Sequence, residues 1–180
     1  MLVSLRKDDP VPVPELVAAS LEPVGTVAVQ AIGRFKVADW YGGKEIAPIT
    51  DINDRFKTLL FGVTEEPVDA MSLNISRLTG PSHDPPIMLA LGTGKPCGKY
   101  EVTLGQFQYA LPVISMSAYK EGDEDDPVPL VDDGFTVFGY VEVGGVICTV
   151  SAKWHDGWQI GEYPVPSQYE WPDGFYVLHR

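Results

Sequence analysis

The residues that most resemble a reactive pair in this sequence are His155 and Asp156, which follow each other between Trp154 and Trp158. A histidine beside a carboxylate can act as a general base with an orienting partner, and flanking aromatic faces can stack on a substrate. Adjacent residues on a turn, however, point in different directions, and Asp-Gly at positions 156–157 is favoured by turn geometry alone. The pattern therefore favours a hairpin tip over a catalytic pair.

The most charged stretch of the chain is an acidic run whose carboxylates are Glu121, Asp123, Glu124, Asp125 and Asp126. Carboxylate oxygens are the ligands that Ca²⁺ takes, and a dense negative cluster can imitate the charge of nucleic acid. The run lacks the ligand spacing and the distal glutamate of an EF-hand loop. We expect a solvated loop, with calcium binding and charge mimicry as the alternatives.

Residues 93–100 have a superficial likeness to a phosphate-binding loop. Such a loop needs a glycine where Thr93 stands and a serine or threonine where Tyr100 stands, and it must open a helix. The pattern after residue 100 is instead typical of a strand. We therefore interpret this segment as a glycine-rich connection.

The remaining reactive side chains form no recognised catalytic or metal-binding motif. Cys97 and Cys148 stand apart, without the spacing of a zinc site or a disulfide framework, and we predict that Cys148 is a small buried side chain. No serine or cysteine nucleophile motif, HExxH sequence or paired-carboxylate spacing is present. The sequence thus predicts no catalytic residue, no metal site and no cofactor, and it favours a protein that is not an enzyme.

An aromatic cluster near the end of the chain is a candidate surface for a protein partner. Tyrosine and tryptophan are enriched at interfaces because they bury a large area at low entropic cost. Core packing is the alternative interpretation. The cluster consists of Trp158, Tyr163, Tyr169, Trp171, Phe175 and Tyr176.

The elements that position these residues are best defined from Phe135 to Tyr163, where the sequence predicts a three-stranded antiparallel meander. Gly144-Gly145 lies between two runs rich in β-branched residues, which is typical of a two-residue hairpin turn. That turn fixes the register and places the apolar side chains on one face. The predicted pairs are Val143 with Val146, Val141 with Cys148, Gly139 with Val150, Val137 with Ala152, Phe135 with Trp154, Trp154 with Trp158 and Ala152 with Ile160.

The other face of this meander is also partly apolar, since Phe138, Tyr140 and Ile147 lie on it. A face exposed to water is normally more polar. We therefore expect that a second layer of the chain or a neighbouring subunit covers it.

Outside the meander, the pattern predicts a helix from about Asp51 to Phe61, with Thr50 as its N-cap, and a shorter helix over 15–22. Short apolar runs predict further strands. These predicted strands are 26–32, 71–78, 87–91, 100–104, 107–118 and 175–178.

Composition points to one domain built mainly from strands and turns. The chain has 180 residues, enough for a single core, and its 18 glycines and 16 prolines favour short strands over long helices. We predict an antiparallel β-sandwich or partly open barrel with one or two short helices, preceded by a proline-rich extended arm at 1–14. The domain itself would span 15–180.

The charge balance excludes several classes of partner. Thirteen basic and 25 acidic residues give a formal net charge of −12, which disfavours direct binding to a phosphate backbone or an anionic membrane. The sequence predicts neither a signal peptide nor a transmembrane segment. A cytoplasmic or virion location is therefore expected.

These observations favour a structural or interaction protein that forms a homo-oligomer or joins a larger assembly, such as a capsid, decoration or tail component of a viral or phage particle. One alternative is an acidic inhibitor that binds a basic partner such as a nuclease. Another is a small hydrolase or carbohydrate-binding module that uses the His155-Asp156 turn.

Overall fold

The computed structural model describes residues 16–41, 49–92, 100–116, 134–167 and 169–180. The predicted arm, the acidic run and residues 93–99, including Cys97, lie outside these ranges. In chain order the elements are β1 (Leu21–Val29), β2 (Phe35–Lys36), α1 (Val37–Tyr41), β3 (Ile49–Ile52), α2 (Asp54–Leu60), β4 (Thr64–Glu65), β5 (Met71–Leu78), α3 (Asp84–Gly92), α4 (Leu104–Met116), β6 (Thr136–Val143), β7 (Val146–Trp154), β8 (Trp158–Pro164) and β9 (Tyr176–His179).

Seven of these strands form one open sheet in the order β1-β5-β9-β6-β7-β8-β3, and β2 pairs with β4 in a separate ribbon. The β6–β9 and β3–β8 pairs are parallel, while the other pairs of the large sheet are antiparallel. The prediction of a mainly β fold is confirmed. In detail the sheet is mixed, and the part of the chain that the structure describes contains four short helices.

The meander is confirmed in its predicted register. Val143 lies opposite Val146, Trp154 lies opposite Trp158, and the pairs between them match the prediction. Gly144 and Gly145 have φ values of 60° and 81°, the left-handed conformation that a two-residue turn of this kind requires. The two-residue turn thus fixes the register, and the register determines which side chains face the core.

One face of the large sheet, which we call the α4 face, is covered by α2 and α4. Its buried residues include Phe56, Leu60, Phe107, Leu111, Val137, Val141, Val150 and Trp158. Helix α4 approaches closely at Gly139, where an added Cβ would lie 3.1 Å from the Leu178 carbonyl oxygen and 3.3 Å from the Phe107 ring. A larger side chain at this position would push α4 away from the sheet.

The opposite face, which we call the α3 face, is covered by α3 and by the segment before β9. The ring of Trp171 stacks on that of Phe138, with a centroid distance of 4.2 Å. Phe138 and Tyr140 are consequently buried. The second apolar face of the meander is thus covered by a second layer of the same chain.

Two segments predicted as strands are helices. The apolar run 107–118 predicts a strand, but its described part, 107–116, belongs to α4, and Pro112 lies inside that helix. The Thr103 hydroxyl accepts a hydrogen bond from the Gln106 amide (3.1 Å), and the Gln106 side chain accepts from the Thr103 amide (2.9 Å). This reciprocal capping box starts the helix. Residues 87–91 likewise belong to α3, and residues 100–103 form no strand.

The N-terminus of α4 is also held by a side chain from the separate ribbon. The Glu65 carboxylate accepts hydrogen bonds from the amides of Leu104 (2.7 Å) and Gly105 (2.8 Å). A carboxylate is favourable here because it satisfies two amides that have no partner within the helix and interacts with the helix dipole. The ribbon is thereby joined to the α4 face.

The predicted helix from Asp51 to Phe61 exists but starts later. Residues 49–52 form β3, so the N-cap is Asn53, whose side chain accepts from the Phe56 amide at 2.7 Å, and not Thr50. The predicted helix over 15–22 is wrong, since β1 begins at Leu21 and residues 16–20 are irregular. Strand 71–78 matches β5. Among the helices described, none combines the length and the apolar character needed to cross a membrane.

Candidate functional site

The structure contains two buried carboxylates with different surroundings. The first, Asp84, lies at the start of α3 and is fully buried. Its Oδ1 accepts from the Tyr140 hydroxyl (2.9 Å) and from the Trp171 indole nitrogen (2.8 Å), and its Oδ2 accepts from the Ser167 amide (2.9 Å). We call this set of residues the Asp84 network. Its donors come from β6 and from the segment between β8 and β9, so the network joins these two parts of the chain to α3.

The protonation state of Tyr140 fits a structural role for the Asp84 network. Burial is the main cause that raises the pKa of the Tyr140 hydroxyl far above its ordinary value, and the Asp84 charge adds to it. Tyr140 therefore stays protonated and keeps donating its hydrogen bond over the whole physiological pH range.

The second carboxylate, Glu162, lies on β8, where its side chain is 2% exposed. The Arg55 Nε donates a hydrogen bond to the Glu162 Oε2, and the Arg55 side chain is 51% exposed. Arg55 belongs to α2, so the pair joins a helix to a strand 107 positions later in the chain. The buried charge is thus compensated by a cation that reaches solvent.

Asn53 explains why Arg55 lies beside Glu162. Its Oδ1, which caps α2, lies 3.4 Å from the Glu162 amide, and its Nδ2 donates to the Glu162 carbonyl oxygen at 3.3 Å. The Asn53 amide also donates to the Ile160 carbonyl oxygen at 2.9 Å. The first turn of α2 is therefore locked to β8, and Arg55 follows two residues later.

A cavity of about 300 Å³ lies next to this ion pair, and we call it the α2 cleft. Leu59 and Val146, at its entrance, are 50% and 66% exposed. The cleft is lined by Arg55, Leu59, Leu60, Val143, Val146, Ile147, Cys148, Glu162, Pro164 and Val165. Its walls are mostly apolar, with one ion pair and one thiol.

The surroundings of Cys148 disfavour the thiolate form. Burial, followed by the negative charge of Glu162, raises its pKa to about 12, although the positive charge of Arg55 acts in the opposite direction. Because the thiolate is the reactive form, the thiol is inert near neutral pH. The prediction that Cys148 is buried is confirmed.

A second pair of reactive residue types lies between β5 and β9. The Ser76 hydroxyl oxygen is 3.0 Å from the His179 Nε2, and the His179 Nδ1 is 3.0 Å from the Arg180 carbonyl oxygen. This arrangement has the shape of a nucleophile and its base. Ser76 and His179 are only 6% and 8% exposed, however, which leaves little of either side chain open to a substrate.

The aromatic residues predicted to bind a partner are mostly inside the protein. Trp158 is fully buried in the α4 face and Trp171 is 2% exposed in the α3 face. Tyr163, Phe175 and Tyr176 are partly buried, whereas Tyr169 is 44% exposed. A partner can therefore reach Tyr169 more readily than the two tryptophans, and the binding role of this cluster stays a prediction.

The His155-Asp156 turn forms the exposed tip of the β7–β8 hairpin, with φ of 53° at Asp156. The Trp154 and Trp158 rings meet edge to face at a centroid distance of 5.2 Å. Because Trp158 is buried, it cannot stack on a carbohydrate in this fold. Within the described ranges, no group of three or more His, Cys, Asp or Glu side chains is arranged to hold a metal ion.

Three exposed apolar side chains lie on or just before β1. Among the described strands, β1 is terminal in the order of the sheet and pairs with β5 alone. Val24 on β1 is 54% exposed, and just before the strand Leu16 and Val17 are 53% and 75% exposed. We call these three side chains and the β1 backbone the β1 edge surface.

Comparisons with known proteins place no constraint on this site. No family model matches the sequence, and neither the curated proteins nor the solved structures give a significant match.

Proposed function

We propose that this chain is a non-enzymatic interaction protein that forms homo-oligomers and serves as a subunit or accessory of a larger assembly, such as a capsid, decoration or tail component of a viral particle. The observation that carries the proposal is the β1 edge surface. It combines a nine-residue edge strand with three large apolar side chains that are each more than half exposed.

An edge strand offers unpaired backbone donors and acceptors to which another chain can add a strand. The pairing of β1 is irregular between Pro23 and Gly25, and proline has no amide hydrogen to donate. A partner strand would therefore pair along the second half, Thr26 to Val29, while Leu16, Val17 and Val24 supply apolar contact. The acidic inhibitor alternative depends on residues outside the described ranges and stays a prediction.

The test is the mass of the protein in solution, measured by light scattering after size exclusion at low and high salt. We expect a discrete multimer that persists at high salt, because apolar contacts are not screened by ions. The double variant Val17→Asp/Val24→Asp should dissociate it. Val146→Asp, which places the same charge on an equally exposed valine elsewhere, is the control and should leave the multimer intact. A monomer under every condition would contradict the proposal.

A further inference from the structure

We infer that the α2 cleft binds a small amphipathic carboxylate, an apolar chain whose charged head contacts Arg55. This site is separate from the β1 edge surface and does not depend on the proposed assembly. Ligand pockets are typically apolar cavities with a few well-placed polar groups, and the cleft has this composition. Its apolar walls come from Leu59, Leu60, Val143, Val146, Ile147, Pro164 and Val165.

The charge that a ligand meets in the cleft is positive. Glu162 is 2% exposed and its Oε2 already accepts from Arg55, whereas the Arg55 side chain is 51% exposed. A guanidinium group has five N–H donors, and the contact with Glu162 uses the one on Nε. The accessible donors of Arg55 suit a carboxylate, which accepts from arginine through two oxygens.

A cationic ligand fits the cleft less well. To reach the Glu162 carboxylate it would have to displace Arg55 from a buried acceptor. That displacement would replace one ion pair by another and would gain no new charge compensation. The ligand head should therefore be an anion and not an amine.

The size of the cleft limits the ligand to a small molecule. A volume of about 300 Å³ holds about ten non-hydrogen atoms if each occupies roughly the 30 Å³ that a water molecule takes in the liquid. A peptide of several residues needs more room than this. An eight-carbon carboxylate such as octanoate has the matching number of atoms and is the probe of choice.

The experiment is a calorimetric titration of the full chain with three probes that share one apolar tail: octanoate, 1-octanol and octylammonium. We expect saturable binding of octanoate, weaker binding of octanol and the weakest binding of octylammonium. Octanoate that fails to saturate, or octylammonium that binds more tightly than octanoate, would overturn the inference.

Substitutions test whether Arg55 binds the carboxylate head of octanoate. Removing Arg55 alone leaves Glu162 buried without a cation, so the test uses Arg55→Gln/Glu162→Gln, which removes both charges and keeps a polar side chain at each position. This variant should bind octanoate at least about tenfold more weakly, as expected for a lost charge-assisted contact, and should bind octanol as the wild type does. Arg34→Gln, which changes an exposed arginine outside the cleft, is the control and should bind both probes normally.

Two further results would contradict the inference. Unchanged octanoate affinity in the double variant, with the fold confirmed by circular dichroism, would show that Arg55 does not hold the head group. Tighter binding of a leucine-terminated tetrapeptide with a free carboxylate would assign the cleft to a protein partner instead of a small molecule.

Discussion

Asp84 and Glu162 are both buried carboxylates, but they are compensated in different ways. Asp84 accepts hydrogen bonds from a hydroxyl, an indole and a backbone amide, and the Asp84, Tyr140 and Trp171 side chains are buried. Glu162 is paired with one guanidinium that reaches solvent beside a cavity. The hydrogen bonds of Asp84 stabilise the fold, whereas the Arg55 partner of Glu162 keeps N–H donors that are accessible to solvent. A buried charge indicates a site for a ligand only where its partner remains exposed.

The largest expected effect comes from breaking the closed network. Asp84→Ala leaves the Tyr140 hydroxyl, the Trp171 indole and the Ser167 amide without their acceptor. Each unsatisfied buried donor costs about 1–3 kcal/mol, so the loss of the acceptor for three donors should lower the free energy of unfolding by at least about 3 kcal/mol. Urea denaturation followed by tryptophan fluorescence measures this change.

The matched control for this prediction is Asp54→Ala. Asp54 is also an acidic residue in the first turn of a helix, but its side chain is fully exposed. We expect a loss of about 0.5 kcal/mol or less, since an exposed charge near a helix terminus contributes little. A similar loss for both variants would mean that the Asp84 network adds no more than a helix-end charge.

A smaller effect is expected from a double-mutant cycle on Arg55 and Glu162, using the two single glutamine variants and their combination. The coupling free energy should be about 1–2 kcal/mol, between the values for exposed and for fully buried pairs, because one partner is half exposed. The double variant should be more stable than Arg55→Gln alone. Additive losses would show that the pair is not coupled.

The smallest expected effect concerns Cys148, and it is measured as chemical reactivity. In a Cys97→Ser background at pH 8, alkylation by iodoacetamide should be much slower than for a free thiol, because a pKa of about 12 leaves little thiolate. Glu162→Gln removes a negative charge that raises this pKa, so alkylation should become faster. Reactivity of Cys148 in the Cys97→Ser protein equal to that of free cysteine would contradict the assigned burial.

The meander could be predicted because the residues that specify its turn and register are close together in the sequence. Gly144-Gly145 fixes one turn, and the period of two then places each side chain from Val137 to Ile160 on a definite face. The same periodicity placed Phe138 and Tyr140 on the second apolar face, but it could not say whether α3 or another molecule covers them. The burial of the aromatic cluster depends on the same long-range packing, so the local pattern could not predict it.

Helices α3 and α4 were not predicted, although the sequence carries their start signals. Thr103 and Gln106 have capping-box spacing, and Leu104, Phe107 and Leu111 recur at helical intervals, yet the apolar run 107–118 predicts a strand when its composition alone is considered. At α3, Asp84 is followed by two prolines, which are favoured in the first turn of a helix. The helix-start signal at Thr103 outweighs the single proline inside α4.

The α2 cleft could not be predicted from the sequence. Arg55 and Glu162 are separated by 107 positions, and no spacing rule links them. Their meeting depends on the parallel pairing of β3 with β8 and on the Asn53 side chain. Both are long-range contacts that a local pattern does not contain.

The position of β9 has a consequence for how the chain folds. This four-residue strand lies between β5 and β6, although every other described strand precedes it in the sequence. Until β9 is in place, β1 and β5 form one sheet fragment and β6, β7, β8 and β3 form another. Closing the gap requires contacts across about a hundred residues of chain, which is the type of topology that folds slowly. The two fragments therefore expose unpaired edges until the last strand joins them.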